Sequence, residues 1–331
     1  SFYHPPAVGV LLADTLSEKE LAEKCAAIAA LRFTRVGVEL KANVVAVENA
    51  SGAAEPFVKA VTAAKALGLP LVLLSAHAAH VEKALALCAE QRPLIHAATE
   101  ENWEAFARLA NEKKCPLAVA APDLDRLVAL AAKIQAAGVD DLVLDLTAPH
   151  LLDTLEALTA SRRLALKKRA RELGHPAMVV VRTADPLANV ADCCAYVAKY
   201  AGLVITPHCR AEYVLPVLTV SQNLYTDPRK PIQVEARLCE IGAVTPQSPL
   251  LITTNFSLTY YTVEGEVEAS RVPAYIGVID TEGTSVLTAF ASDKLTAEKV
   301  AAFLKSDAVQ ARIKHRKVII PGYISAMSGA L

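Results

Sequence analysis

The chain has 331 residues, of which 53% are hydrophobic and only 5% aromatic, and its formal net charge is -1. That length holds a large single domain or two domains, and a core built mainly of Ala, Val and Leu suits helices packed on parallel strands. The charge balance gives no overall signal for nucleic acid, no apolar run reaches membrane-spanning length and no secretory signal opens the chain. A soluble cytoplasmic protein with no nucleic-acid and no membrane partner is expected.

Short Val/Leu/Ile runs alternate with Ala-rich helical stretches from the amino end. The runs predict strands at Ala7–Ala13, Asn43–Val47, Leu71–Ser75, Pro93–Ala97, Pro116–Ala120, Asp141–Leu146, Ala177–Val181 and Leu203–Thr206. Phe33–Leu40 is also strand-like. Helix signals fall between them: Ser17 ahead of Glu18 and Glu20, Asp123 after Pro122, and the stops Gly138 and Gly174. This alternation predicts a TIM (β/α)8 barrel over residues 1–236, with a doubly wound open sheet as its competitor.

The expected strand ends present Asp14, Glu48, Ser75, His77, Thr99, Asp145, Thr147, Arg182, Thr183, Asp185, Thr206 and His208. No lysine closes a strand, which argues against Schiff-base chemistry. His77 and His80 stand one helical turn apart, but a metal site needs a third ligand, so a solvated helix start is the simpler reading. Asp145 is the best-placed acid, and the alternative function is a stand-alone barrel enzyme using it on a small metabolite. A lone carboxylate at a strand end is more often a brace or helix cap. Arg162, Arg163, Lys167, Lys168, Arg169 and Arg171 lie on one helix, as a solvated face or as a docking patch for an acidic partner.

Seven cysteines occur with no C-x-x-C spacing, so neither a zinc site nor an iron-sulfur cluster follows from local motifs. The pattern breaks at Tyr225–Pro231, a turn-rich connector with two prolines. Residues 237–331 then read as a second, small doubly wound α/β domain: a strand Pro249–Ile252, a helix from about Leu258 to Ser270, a strand Ala274–Ile279, a segment Ser285–Ala291, a helix Ala297–Leu304, a strand Lys317–Ile320 and a helix from near Tyr323. The three strands stop at Thr253-Thr254-Asn255-Phe256, at Asp280-Thr281-Glu282-Gly283-Thr284-Ser285 and at Pro321-Gly322. In a parallel sheet those loops share one edge. Their small, mostly uncharged side chains suit a large neutral ligand. The chain starts at Ser1 without a methionine and stops at Leu331 in a helical pattern, so it is expected to be a fragment.

The stretches Thr253–Glu266, Asp280–Ala289 and Ile319–Gly322, with Gln222–Pro228, Phe2–Pro5 and Arg162–Lys168, resemble the large (gamma) subunits of corrinoid iron-sulfur proteins of the acetyl-CoA (Wood-Ljungdahl) pathway. The resemblance implies a barrel followed by a cobamide-binding domain, in a heterodimer with a small (delta/beta-type) subunit. It implies a methyl carrier rather than a catalyst: a base-off corrinoid whose cobalt accepts a methyl group from methyltetrahydrofolate through a methyltransferase and delivers it to acetyl-CoA synthase, with a reductive activator as a further partner. It places Thr288 near the cobalt, and Thr253, Thr254, Asn255, Phe256, Gly283, Thr284, Ser285, Val286, Leu287, Pro321 and Gly322 around the ring. The family's 4Fe-4S cluster is expected only in the full-length protein. No Asp-x-His-x-x-Gly loop occurs to offer a histidine to cobalt, and without the resemblance Thr288 reads as a backbone-bonding helix or strand residue.

Overall fold

The structure is a computed structural model that describes residues 4–226 and 231–331. Parts of three sequence expectations, Phe2-Tyr3 and Asp227-Pro228 of the family-like segments and 227–230 of the connector, lie outside the described residues. The chain divides into two compact units, one of Ser1–Phe33 with Leu40–Tyr225, the other of Thr34–Glu39 with Thr226–Leu331.

Up to residue 206 run β1 (Ala7–Ala13), β2 (Arg32–Arg35), β3 (Val38–Lys41), β4 (Val44–Glu48), β5 (Leu71–Leu74), β6 (Leu94–Ala98), β7 (Leu117–Ala120), β8 (Leu142–Asp145), β9 (Ala177–Val180) and β10 (Leu203–Thr206). All but β2 and β3 join a closed parallel barrel in the order β1-β10-β9-β8-β7-β6-β5-β4, sealed by β1 against β4. Closure gives the TIM barrel and removes the open-sheet alternative. Alternate residues, among them Leu11, Val44, Ala46, Val72, Ala118, Met178 and Ile205, fill the barrel interior, while Val8, Val10 and Leu12 are equally buried on the other face of β1. Strands buried on both faces read as unbroken apolar runs, which is why their positions were visible in the sequence.

The expected caps form. Ser17 and Glu20 make a reciprocal capping box at the first helix, and the Asp123 side chain accepts from the Arg126 amide. The strand-like stretch Phe33–Leu40 is a separate hairpin of β2 and β3, reversing at Val36 and Gly37, both with positive φ. The helix carrying the basic residues stays regular only over Leu151–Arg163; a π-turn, Leu164–Lys168, and a left-handed Arg169 follow.

In the second unit β11 (Leu238–Ile241), β12 (Leu250–Thr254) and β13 (Ala274–Ile279) form a sheet in the order β11-β13-β12. β12 and β13 are parallel, joined by the helix Ser257–Ser270. Two departures from the expected pattern stand out: β11 runs antiparallel to β13, and the expected strand at Lys317–Ile320 contributes only a parallel bridge, Ile319 to Leu251. Lys314-His315-Arg316-Lys317 ahead of it is too polar to bury and Pro321 closes it, so the run is too short for a ladder. The segment beginning near Tyr323 is 3-10 helix, Gly322–Gly329. Apolar clusters cover both sheet faces, Tyr260, Val267, Ile276 and Val278 on one, Ile252, Tyr275, Val286 and Val300 on the other. Gly277 of β13 makes the second face possible, since a Cβ there would lie 2.6 Å from the Phe303 ring. Among the described residues no helix is long and apolar enough to cross a membrane.

Candidate functional site

Two sets of strand ends carry polar groups. At the barrel mouth the groups mostly satisfy one another. Asp14 accepts from the Ser51 amide at 2.8 Å, the Ser51 hydroxyl at 2.7 Å and the Asn49 amide nitrogen at 2.8 Å. Asn49 Oδ1 in turn accepts from the Ser75 hydroxyl at 3.0 Å and meets His80 Nδ1 at 2.8 Å. Arg182 forks onto both oxygens of Glu48 at 2.6 and 3.0 Å. Thr206 donates to the buried Asn189, and burial pushes the neighbouring Cys193 thiol up to about 12. A cleft of about 680 Å³ lies there, lined by Glu48, Asn49, Ser75, His77, His96 and Arg182 among others.

Asp145 ends β8 with its side chain only 9% exposed, His96 Nε2 at 2.6 Å and the Thr147 amide and hydroxyl donating at 2.9 and 2.5 Å. Burial opposes its ionisation, but the hydrogen bonds from His96 and Thr147 outweigh that and hold the carboxyl below its ordinary range. Thr147 also accepts from the Val180 amide, so the carboxylate ties three strands together: β6 through His96, its own β8, and β9. The His77 and His80 rings lie tilted at 54° with centroids 4.8 Å apart, and among the described residues no group of three His, Cys, Asp or Glu side chains is arranged to hold a metal ion.

The loops after β12 and β13 are built differently. One side chain, Asn255, only 3% exposed, holds both. Its carbonyl oxygen accepts from the Thr281 amide and hydroxyl, each at 3.0 Å, and from the Gly283 amide at 2.9 Å. Its nitrogen donates to Asp280 and to Gln233, both at 3.0 Å. Gly283 takes φ +70, and an added Cβ would press within 3.1 Å of the Gln233 side chain. Asp280 accepts from the Glu282 amide, and Glu282 pairs with Lys294 at 2.6 Å. The loops therefore reach this edge with their charges engaged.

Three hydroxyls are left over: Thr253 Oγ1, Thr254 Oγ1 and Ser257 Oγ are buried without a hydrogen-bond partner, although buried polar groups are normally satisfied. The Ser257 residue lines a cavity of about 340 Å³ with Gly37, Gln233, Arg237, Tyr260 and Glu264.

Of the residues expected to form the site, Thr253, Thr254, Asn255, Gly283 and Val286 are buried, Phe256, Thr284, Ser285 and Pro321 half-buried, and Leu287, Thr288 and Gly322 exposed. Parallel pairing of β12 with β13 and of Leu251 with Ile319 puts all three loops on one sheet edge. Thr288 Oγ1 meets only the Ser285 hydroxyl, at 3.1 Å, and its backbone carbonyl accepts from Ser292. His315, the only histidine of this unit, contacts the Ser248 carbonyl at 2.8 Å, at the amino-terminal end of β12 and so on the opposite edge. Sequence reasoning missed Gln233 and Thr281 as organisers. Thr281 lay within a recognised stretch, but no sequence signal pointed to Gln233, just past the connector.

A family profile described as CdhD, CO dehydrogenase/acetyl-CoA synthase delta subunit, matches residues 1–331. The corrinoid/iron-sulfur protein large subunit of Moorella thermoacetica is 43% identical over 331 residues, covering 100% of this chain and 74% of that protein. The acetyl-CoA decarbonylase/synthase complex subunit gamma of Methanothermobacter thermautotrophicus is 35% identical over 344 residues, covering 100% of this chain and 75% of that protein. Among solved structures, a dihydropteroate synthase of Thermus thermophilus aligns at 22% identity with a TM-score of 0.48, covering 68% of this chain and 96% of that one.

Proposed function

Because this chain belongs to the CdhD family of CO dehydrogenase/acetyl-CoA synthase subunits, we propose that it is the large-subunit methyl carrier of such a system, holding a corrinoid on the second unit. One observation carries the reading most: Asn255 welds the loops after β12 and β13 into a single rigid edge, where Leu287, 53% exposed, and Thr288 stand unengaged by other elements. The edge fits a large neutral macrocycle. Its charged groups are already engaged, open space lies beside the Gly322 backbone, and the side chains at its surface, Leu287 and Thr288, are exposed and uncharged.

Under this reading residues 237–331 form the cobamide-binding domain, with Rossmann-like character in its parallel β12 and β13. Leu287 and Thr288 face the ring, while Asn255 and Gly283 position the loop that bears them. When bound, the corrinoid supplies a cobalt that accepts a methyl group and gives it up again. The side chains keep that metal free of a strong protein ligand. His315 is held at the other edge, and a threonine hydroxyl at position 288 orders water without binding tightly. The corrinoid is proposed to be base-off, as the family resemblance implies. The methyl donor is methyltetrahydrofolate acting through a methyltransferase, the acceptor is acetyl-CoA synthase, and a small subunit and a reductive activator complete the set of partners.

We assign any 4Fe-4S cluster to the full-length protein, since the seven cysteines here show no C-x-x-C spacing and, among the described residues, no three His, Cys, Asp or Glu side chains are grouped to hold a metal. The alternative of a stand-alone barrel enzyme has less support, because both oxygens of Asp145 already accept hydrogen bonds from His96 and Thr147.

Thr288→Leu in the full-length protein paired with its small subunit tests the assignment. Slower reduction or methylation of the cobalt, followed by its visible absorption, is expected with corrinoid content unchanged. Unchanged rates would remove the role given to Thr288.

A further inference from the structure

The basic turn after the helix Leu151–Arg163 is not explained by the methyl-carrier reading. Six cations fall within residues 162–171 with no acidic residue among them, on a chain whose formal net charge is -1, so the remaining residues carry -7. All six are exposed, and among the described residues none of them forms an ion pair. Arg162 and Arg163 favour the helix carboxyl end, but the charge continues past it, where that benefit has faded.

Apolar surface accompanies the charge. Leu166 is 64% exposed in the π-turn, and Tyr200, 48% exposed, carries the Arg162 guanidinium over its ring at 5.7 Å. The Tyr225 hydroxyl donates to the Val197 carbonyl, which brings the end of the helix Ala211–Leu224, with the exposed Leu224, beside the segment leading to Tyr200. An ordinary solvated face shows charges without this apolar centre, whereas apolar and aromatic residues ringed by arginine are the anatomy of a protein interface.

We infer that this turn and the adjacent helix ends form a docking surface for an acidic face on another protein subunit of the complex. The uncompensated charge sets the partner's sign, and Leu166, Tyr200 and Leu224 supply the centre that excludes water. The inference rests on family membership and stands apart from the corrinoid reading.

The test uses the full chain, either wild type or carrying Arg163→Glu, Lys167→Glu, Lys168→Glu and Arg169→Glu together, titrated against each other subunit of the complex purified singly, at several salt concentrations. A short DNA duplex serves as the nucleic-acid probe, and circular dichroism confirms that these exposed variants fold. One subunit is expected to bind the wild type, to lose affinity as salt rises, and to bind the reversed variant about tenfold or more weakly. Tyr200→Ala is expected to weaken the same complex with less change in salt dependence. Binding of the duplex by the wild type with no subunit bound would overturn the proposal. So would a set of subunits that ignore the wild type, or bind both forms alike.

Discussion

The strand ends of the barrel and those of the second unit use opposite strategies. At the barrel mouth most of the polar side chains satisfy one another, Asp14 with Asn49 and Ser51, Glu48 with Arg182, Asp145 with His96 and Thr147, and His208 Nε2 is a buried exception. In the second unit one neutral amide does the joining, and buried hydroxyls remain without partners. A network that closes on itself stabilises its own fold. Exposed, uncharged Leu287 and Thr288 at the second unit's edge are what the proposed carrier reading requires there.

The contrast is broken most severely at Asn255. Asn255→Leu would strand the Thr281 and Gly283 amides and the Gln233 and Asp280 oxygens, and should destabilise the second unit by roughly 3–5 kcal/mol. Hydrogen exchange should show the loss confined to residues of that unit, with barrel amides unaffected. A loss below 1 kcal/mol would mean that the loops hold themselves.

Asp145→Asn probes the other network. Because the folded carboxyl titrates below its ordinary range, its stabilisation is fully present above the ordinary carboxylate pKa and is lost as pH falls through the lowered value. The variant should therefore lose about 2 kcal/mol in urea melts at neutral pH, with the gap to wild type narrowing in acid. A gap that widens in acid would contradict the ionised assignment.

Gly283→Ala forces a side chain into φ +70 and against Gln233, and should cost about 1–2 kcal/mol. The smallest effect belongs to Thr288. Its hydroxyl bonds only the Ser285 hydroxyl, so Thr288→Val should move stability by less than about 0.5 kcal/mol. A large loss there would make Thr288 a structural residue and weaken its place in the carrier reading.

Much of the fold was legible because parallel strands buried on both faces leave unbroken apolar runs. β1 and β10 lie where those runs predict them, and β4 begins one residue later than expected. Phe33–Leu40 was legible as extended chain, but not as a hairpin whose tip belongs to the other unit, since that depends on contacts distant in sequence. The strand expected at Lys317–Ile320 shrank to a bridge because apolar content alone does not reveal how many partners a run will find. The loop residues stood out as small and uncharged. That Asn255 lies inside, tying Gln233 to Thr281, could not be read, because an amide's partners are set by tertiary placement.

The central claim is that the second unit's strand edge completes itself with a corrinoid. It is tested most directly by the cobalt content and visible spectrum of the full-length protein, co-purified anaerobically with its small subunit and supplied with cobamide. The account predicts stoichiometric cobalt in the wild type, retained in Thr288→Val and lost in Asn255→Leu. A full-length pair that is folded yet takes up no cobalt from excess cobamide would contradict it.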